Sequence, residues 1–152
     1  MNTKEVKEIY DRYVIPNYTR NPILLVKGSG VNIWDAEDKR YLDLFSGWAV
    51  SLLGHCHPHV VAAIQNQAAK LQHAPNIYYT EPQGLLAKHI SEKSFGGQCF
   101  FCNSGAEANE NALKLASFHN GRKKIIAFSK SFHGRTSLAV AVTDNNNYVA
   151  PV

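Results

Sequence analysis

Gln98-Cys99-Phe100-Phe101-Cys102-Asn103-Ser104-Gly105-Ala106-Glu107 is the stretch on which the reading of this chain turns. Residues 98–102 form a short apolar run of the length of a buried strand. Asn103-Ser104-Gly105 turns the chain, and residues 106 to about 119, rich in Ala and Leu, read as a helix. Asn120-Gly121 ends it, Gly121 being suited to a left-handed cap because it has no Cβ. Lys124-Ile125-Ile126-Ala127-Phe128 is expected as the next strand, residues 129–135 as a loop, and 138–142 are again apolar. Strand, helix and strand in succession argue for an α/β fold with a parallel sheet.

Upstream the pattern changes. Val6, Ile9, Tyr10 and Tyr13 recur at helical spacing and predict an amphipathic helix from residue 3 to about 14, and Pro16 and Pro22 interrupt the chain after it. Val31-Asn32-Ile33-Trp34 and Tyr41-Leu42-Asp43-Leu44-Phe45 alternate like two half-buried strands, with Glu37-Asp38-Lys39-Arg40 as their turn. Gly47 and Gly54 punctuate a loop leading to Pro58, which is placed as the first residue of a helix carrying Val61, Ile64, Ala68 and Leu71 on one face. Thr80-Glu81-Pro82-Gln83 predicts a further helix start, with Thr80 as N-cap and Gln83 closing a capping box. Leu86 and Ile90 lie on one side of that helix. Residues 1–55 therefore read as a helix and β-hairpin segment of α+β type, and 56–152 as the first part of a larger α/β domain.

Composition narrows the function classes. The chain has 152 residues, 45% hydrophobic and 18% charged, which is a globular composition. Its net charge of +4 is scattered, the densest run being Arg122-Lys123-Lys124, so no basic stripe points to nucleic acid. No segment approaches the ~18 apolar residues of a membrane span, and Met1-Asn2-Thr3-Lys4-Glu5 has neither signal nor transit character. Cys56, Cys99 and Cys102, an odd number, suit a reducing compartment, and a cytoplasmic location is expected. Cys99 and Cys102 have CxxC spacing with His55, His57 and His59 upstream, but residues three apart on a strand point to opposite faces. Packed, reduced thiols are expected there, and no metal.

Two places could carry chemistry. In Ser104-Gly105-Ala106-Glu107, Ser104 can cap the helix while Glu107 reaches back. Gly105 leaves the backbone open, and unsatisfied N–H groups together with the helix dipole favour an anion such as a phosphate. Taken alone, the tetrapeptide reads more readily as a capped helix without a ligand. Phe132-His133-Gly134-Arg135-Thr136 follows the second expected strand and should lie at the same carboxyl edge, where open α/β sheets bind ligands. Phe132 offers a face for stacking, and Arg135 a planar fork for a carboxylate. Their plain alternatives are a core phenylalanine and a solvated arginine. His133, Tyr78 and Tyr79 are noted beside these, the tyrosines either lining an entrance or subunit contact or anchoring the helix near Pro82.

Residues 103–110 and 131–136 together resemble the class III aminotransferases of pyridoxal 5'-phosphate (PLP) fold type I. Tyr41-Leu42-Asp43-Leu44-Phe45-Ser46-Gly47, Gly54-His55-Cys56-His57-Pro58 and Asn76-Ile77-Tyr78-Tyr79-Thr80-Glu81-Pro82-Gln83 agree and occur in the family's order. The resemblance implies that residues 56–152 begin the PLP-binding large domain. It implies PLP as cofactor, with Gly105 and Ala106 on its phosphate, Ser104 beside them, Phe132 on the pyridine ring and Arg135 on the substrate α-carboxylate. It leans toward members acting on N-acetylornithine with 2-oxoglutarate, giving N-acetylglutamate semialdehyde and glutamate in arginine biosynthesis. Ornithine, succinylornithine or 4-aminobutyrate as donor, or a non-catalytic remnant, are the alternatives. It further implies a homodimer with sites at the subunit boundary.

One part of the family pattern has no counterpart. No lysine sits in a stretch resembling the Schiff-base motif; Lys114 and Lys130 read as surface residues. The expectation is a truncated chain, inactive by itself, that exposes apolar surface and dissolves poorly.

Overall fold

The computed structural model describes residues 1–122 and 124–144. Lys123 of the basic run, the asparagines 145–147 and the tail 148–152 lie outside them. Two compact units are formed, Met1–Asn76 and Ile77–Val152.

In the first unit, α1 (Thr3–Tyr13) starts at a closed capping box. The Asn2 side chain accepts from Glu5 N at 3.0 Å, and Glu5 accepts from Asn2 N at 3.0 Å. The helix stops at Val14, which is extended, two residues before Pro16. A three-stranded antiparallel sheet comes next, in the order β1 (Leu25–Ser29), β2 (Asn32–Asp35), β3 (Arg40–Leu42). The register pairs Gly28 with Ile33 and Ile33 with Tyr41, with an irregularity between Leu25 and Lys27. Asp35 fixes the β2–β3 turn by accepting from the amides of Glu37 and Lys39 and, at 2.7 Å, from the Tyr41 hydroxyl. Those bonds hold its carboxyl below the usual aspartate range, the Tyr41 hydroxyl contributing most.

Asp43 organises the next loop. Its Oδ1 accepts from the amides of Phe45 and Ser46, both at 2.9 Å, and its Oδ2 lies 2.6 Å from Nε2 of His55. An ionised carboxylate only accepts, so that ring nitrogen carries the proton. His55 is itself tied to Gly30 by a reciprocal pair of backbone hydrogen bonds. α2 (Ser46–Ala49) is a left-handed turn, with φ near 50° at Ser46, 61° at Gly47, 54° at Trp48 and 67° at Ala49. α3 (Pro58–Ala68) begins at the proline, as the sequence predicts.

In the second unit, α4 (Glu81–Glu92) begins after Thr80, but the predicted capping box is not closed: the Thr80 side chain makes no cap hydrogen bond. Its hydroxyl needs the N–H of the second or third helical residue, and the second is Pro82, which has none. α5 (Gly105–Asn120) is the longest element, capped by Ser104 and ended by left-handed Gly121, both as predicted. α6 (Ser137–Ala141) takes up most of the apolar stretch near residue 140. Ala139, Val140 and Thr143 are buried and form the tightest packing of this unit among the described residues.

The two strands expected at 98–102 and 124–128 are corrected: neither joins a ladder among the described residues. Strand geometry is held by hydrogen bonds to a neighbour, and these runs have no strand neighbour among the described residues. Phe100 and Ile126 stand exposed. An apolar run gives a segment the composition of a strand and leaves its partner unspecified.

Candidate functional site

The site is built where α5 begins. Ser104 is extended (φ −149°, ψ 158°), its Oγ accepts from Glu107 N at 3.2 Å, and the Glu107 carboxylate accepts from the amides of Ser104 (3.1 Å) and Asn103 (2.6 Å). The box thus uses the amides of residues 103, 104 and 107. Those of Gly105 and Ala106, at the positive end of a 16-residue helix, take no part in it. A Cβ built on Gly105 would meet nothing within 4 Å, so this end of the helix opens into space.

The loop 131–136 is brought onto that helix start. Gly134 has φ +140°, and a Cβ there would lie 2.8 Å from the Cβ of Ala106 and 2.9 Å from that of Ala139. Only glycine permits this approach. Asn109 donates from Nδ2 to the His133 carbonyl at 2.6 Å, and His133 N donates to Thr143 Oγ1 at 2.9 Å. Glu110 Oε1 accepts from the amides of Leu138 (2.8 Å) and Ala139 (3.2 Å), so a side chain of α5 caps α6. The Thr136 hydroxyl is the main influence holding the Glu110 carboxyl below its ordinary range, helped by those two amides and by Lys114, against desolvation.

The result is a cavity of about 610 Å³ lined by Ser104, Gly105, Ala106 and Asn109 on the helix side and by residues 132–136 on the loop side. Each residue singled out from the sequence, namely Ser104, Gly105, Ala106, Phe132 and Arg135, lines it. The Phe132 ring is 60% exposed, which departs from the plain alternative of a core phenylalanine. His133 also lines the cavity, but its Nδ1 is buried with no hydrogen-bond partner among the described residues. Amides at a helix start, an exposed ring and a guanidinium around one cavity suit a ligand with an anionic group, a flat ring and a carboxylate.

Other marked residues fall elsewhere. Tyr78 and Tyr79 are exposed. Cys99 Sγ lies 3.7 Å from the Ala87 carbonyl and Cys102 Sγ 3.4 Å from that of Ser104, so the two thiols serve different carbonyls. No helix of the described residues is long and apolar enough to cross a membrane. Asn109 and Glu110 lie within the 103–110 stretch of the family resemblance, but nothing in the sequence marks either of them, or Thr143, for this organising part. The one available signal is polarity at the third and fourth residues after Ala106, on the helix face that also carries Leu113.

Comparison with known proteins adds the lineage. The family model described as aminotransferase class-III matches residues 13–151. The acetylornithine aminotransferase of Caldanaerobacter subterraneus subsp. tengcongensis is 50% identical over 143 residues, 90% of this chain and 36% of that protein. That of Methanothermobacter thermautotrophicus is 46% identical over 151 residues, 99% of this chain and 39% of that protein. The structure of taurine:2-oxoglutarate aminotransferase from Bifidobacterium kashiwanohense, in complex with PLP and glutamate, matches with a TM-score of 0.90. Its identity is 32%, over 99% of this chain and 35% of that one. The chain thus spans less than two-fifths of the length of these relatives.

Proposed function

Because the chain belongs to the class III aminotransferases and folds as the N-terminal part of theirs, we propose that it supplies the phosphate and ring contacts of a PLP site. The reaction is transfer of an amino group from N-acetylornithine to 2-oxoglutarate, giving N-acetylglutamate semialdehyde and glutamate in arginine biosynthesis. The donor follows the acetylornithine relatives.

The residues take these parts. The amides of Gly105 and Ala106 hold the phosphate, with the Ser104 hydroxyl beside them. Phe132 lies against the pyridine ring and excludes water from that face. Arg135 grips the α-carboxylate of the donor and orients its α-carbon. When bound, the cofactor supplies the electron sink that this chemistry needs. No catalytic lysine is assigned within the chain, and Lys114 and Lys130 are both exposed. The working form is a cytoplasmic homodimer of the complete polypeptide. The 152-residue chain alone is expected to give no turnover above that of free PLP, measured as glutamate formed from 2-oxoglutarate.

One observation carries this reading: Gly134 is seated against Ala106, so the open helix start and the aromatic loop share one cavity. The test is donor competition on the complete polypeptide containing this chain, following glutamate formed from 2-oxoglutarate. N-acetylornithine is expected to exceed ornithine, succinylornithine and 4-aminobutyrate in kcat/KM. Preference for another of these donors would correct the substrate, and no transamination with any of them would overturn the function.

A further inference from the structure

The loop that carries Phe132 and Arg135 has no regular secondary structure of its own, so something must hold it over the helix start. Three attachments do so, and two come from adjacent residues of α5. Asn109 holds the near end through the His133 carbonyl at 2.6 Å. Glu110 holds the far end through the amides of Leu138 and Ala139 and the hydroxyl of Thr136. The third is Thr143, whose hydroxyl accepts from His133 N at 2.9 Å and lies 2.9 Å from the Ala139 carbonyl and 3.3 Å from that of Gly134. Between these points Gly134 packs on Ala106, one turn before Asn109 and Glu110 on the same helix.

Asn109 lines the cavity, so its side chain is within reach of a ligand. Glu110 does not line it. Whatever Glu110 does for a ligand, it does through the loop. Thr136 stands at the N-cap of α6 and its own side chain makes no cap hydrogen bond. Its hydroxyl turns to Glu110, whose carboxylate takes the capping role for the helix amides. The start of α6 and the end of the loop are therefore referenced to α5, the helix whose first residues form the anion turn.

We propose that Glu110 is a positioning residue for the cofactor: from the helix that begins at the phosphate turn, it fixes loop 132–136 so that Phe132 and Arg135 stand at a set distance from that turn. The proposal rests on the PLP reading of the cavity. It assigns Glu110 to the ring and carboxylate contacts and leaves the phosphate contact at Gly105 and Ala106 independent of it.

That division makes the test. The complete polypeptide, freed of cofactor, is titrated with inorganic phosphate and with pyridoxamine 5'-phosphate. The latter carries ring and phosphate but no aldehyde, and so binds without a covalent bond. Glu110→Ala is expected to weaken pyridoxamine 5'-phosphate about tenfold and to leave phosphate within about twofold, because the turn survives while the ring loses its platform. Glu110→Gln keeps an oxygen that accepts from the same amides and is expected to restore binding to within about twofold of wild type. Equal loss of both ligands in Glu110→Ala, or no loss, would overturn the proposal, as would a Gln variant as weak as Ala. Amide exchange separates this from failure of the PLP reading itself. If wild type binds no pyridoxamine 5'-phosphate, the PLP reading falls. Faster exchange at Leu138 and Ala139 in Glu110→Ala, slowed again in Glu110→Gln, then still decides whether Glu110 holds the loop.

Discussion

At Gly134 a single absent methyl group allows a helix start, a loop and a second helix to meet. The Cβ that alanine would add lies 2.8 Å from Ala106 Cβ and 3.1 Å from its Cα, and the φ of +140° is one that L side chains rarely adopt. Gly134→Ala is therefore expected to destabilise the protein by about 1–3 kcal/mol, read as a lowered denaturant midpoint of the complete polypeptide. An unchanged midpoint would mean that the three parts do not meet this closely. A bend at Gly134 is legible from the residue type alone, and the cap at Ser104 follows directly from the S-x-x-E spacing. Glu110 carries no such mark. It serves a helix that starts 27 residues later, and a partner at that distance is chosen by tertiary packing.

At the scale of elements, helices are legible where periodicity and punctuation agree: Asn2 to Tyr13, the proline at 58, and Ser104 to Gly121. β1 is not, because Leu25-Val26-Lys27-Gly28-Ser29 lacks alternation and is made a strand by its neighbour β2. The runs at 98–102 and 124–128 show the converse, with strand composition and no strand partner among the described residues. The loop after β3 is legible only as glycine punctuation. Its left-handed turn places Ser46, Trp48 and Ala49 in a conformation costing about 1–2 kcal/mol per residue. Asp43 holds the entry to that turn, and its carboxyl lies below the usual range, chiefly through His55 and then through the amides of Phe45 and Ser46. A carboxyl lowered by folding stabilises above its unfolded pKa of about 3.9, and that contribution is lost as pH falls through the folded value. Amide exchange at Phe45 and Ser46, corrected for the intrinsic pH dependence of exchange, is thus expected to quicken below about pH 4. Asp43→Asn should remove that acid dependence; a variant with the wild-type profile would show that Asp43 is not its source.

At the scale of the whole chain, similarity covers 90–99% of the residues here and 36–39% of the two acetylornithine aminotransferases compared above. Few large side chains are buried among the described residues. Leu44, Trp48, Phe95 and Ile126 are each more than four-fifths exposed, which fits the apolar exposure expected from the sequence. What the chain does contain is a continuous local unit, from Ser104 to Thr143, that assembles one cavity from sequence-near parts. In the proposed enzyme this cavity is the phosphate and ring site of PLP. A crystal structure of the complete polypeptide with the cofactor bound tests it most directly. Phosphate oxygens are expected about 3 Å from the amide nitrogens of Gly105 and Ala106, with the Phe132 ring facing the pyridine and Arg135 beside its substrate side. A phosphate held by other amides, with Phe132 turned away from the ring, would contradict it.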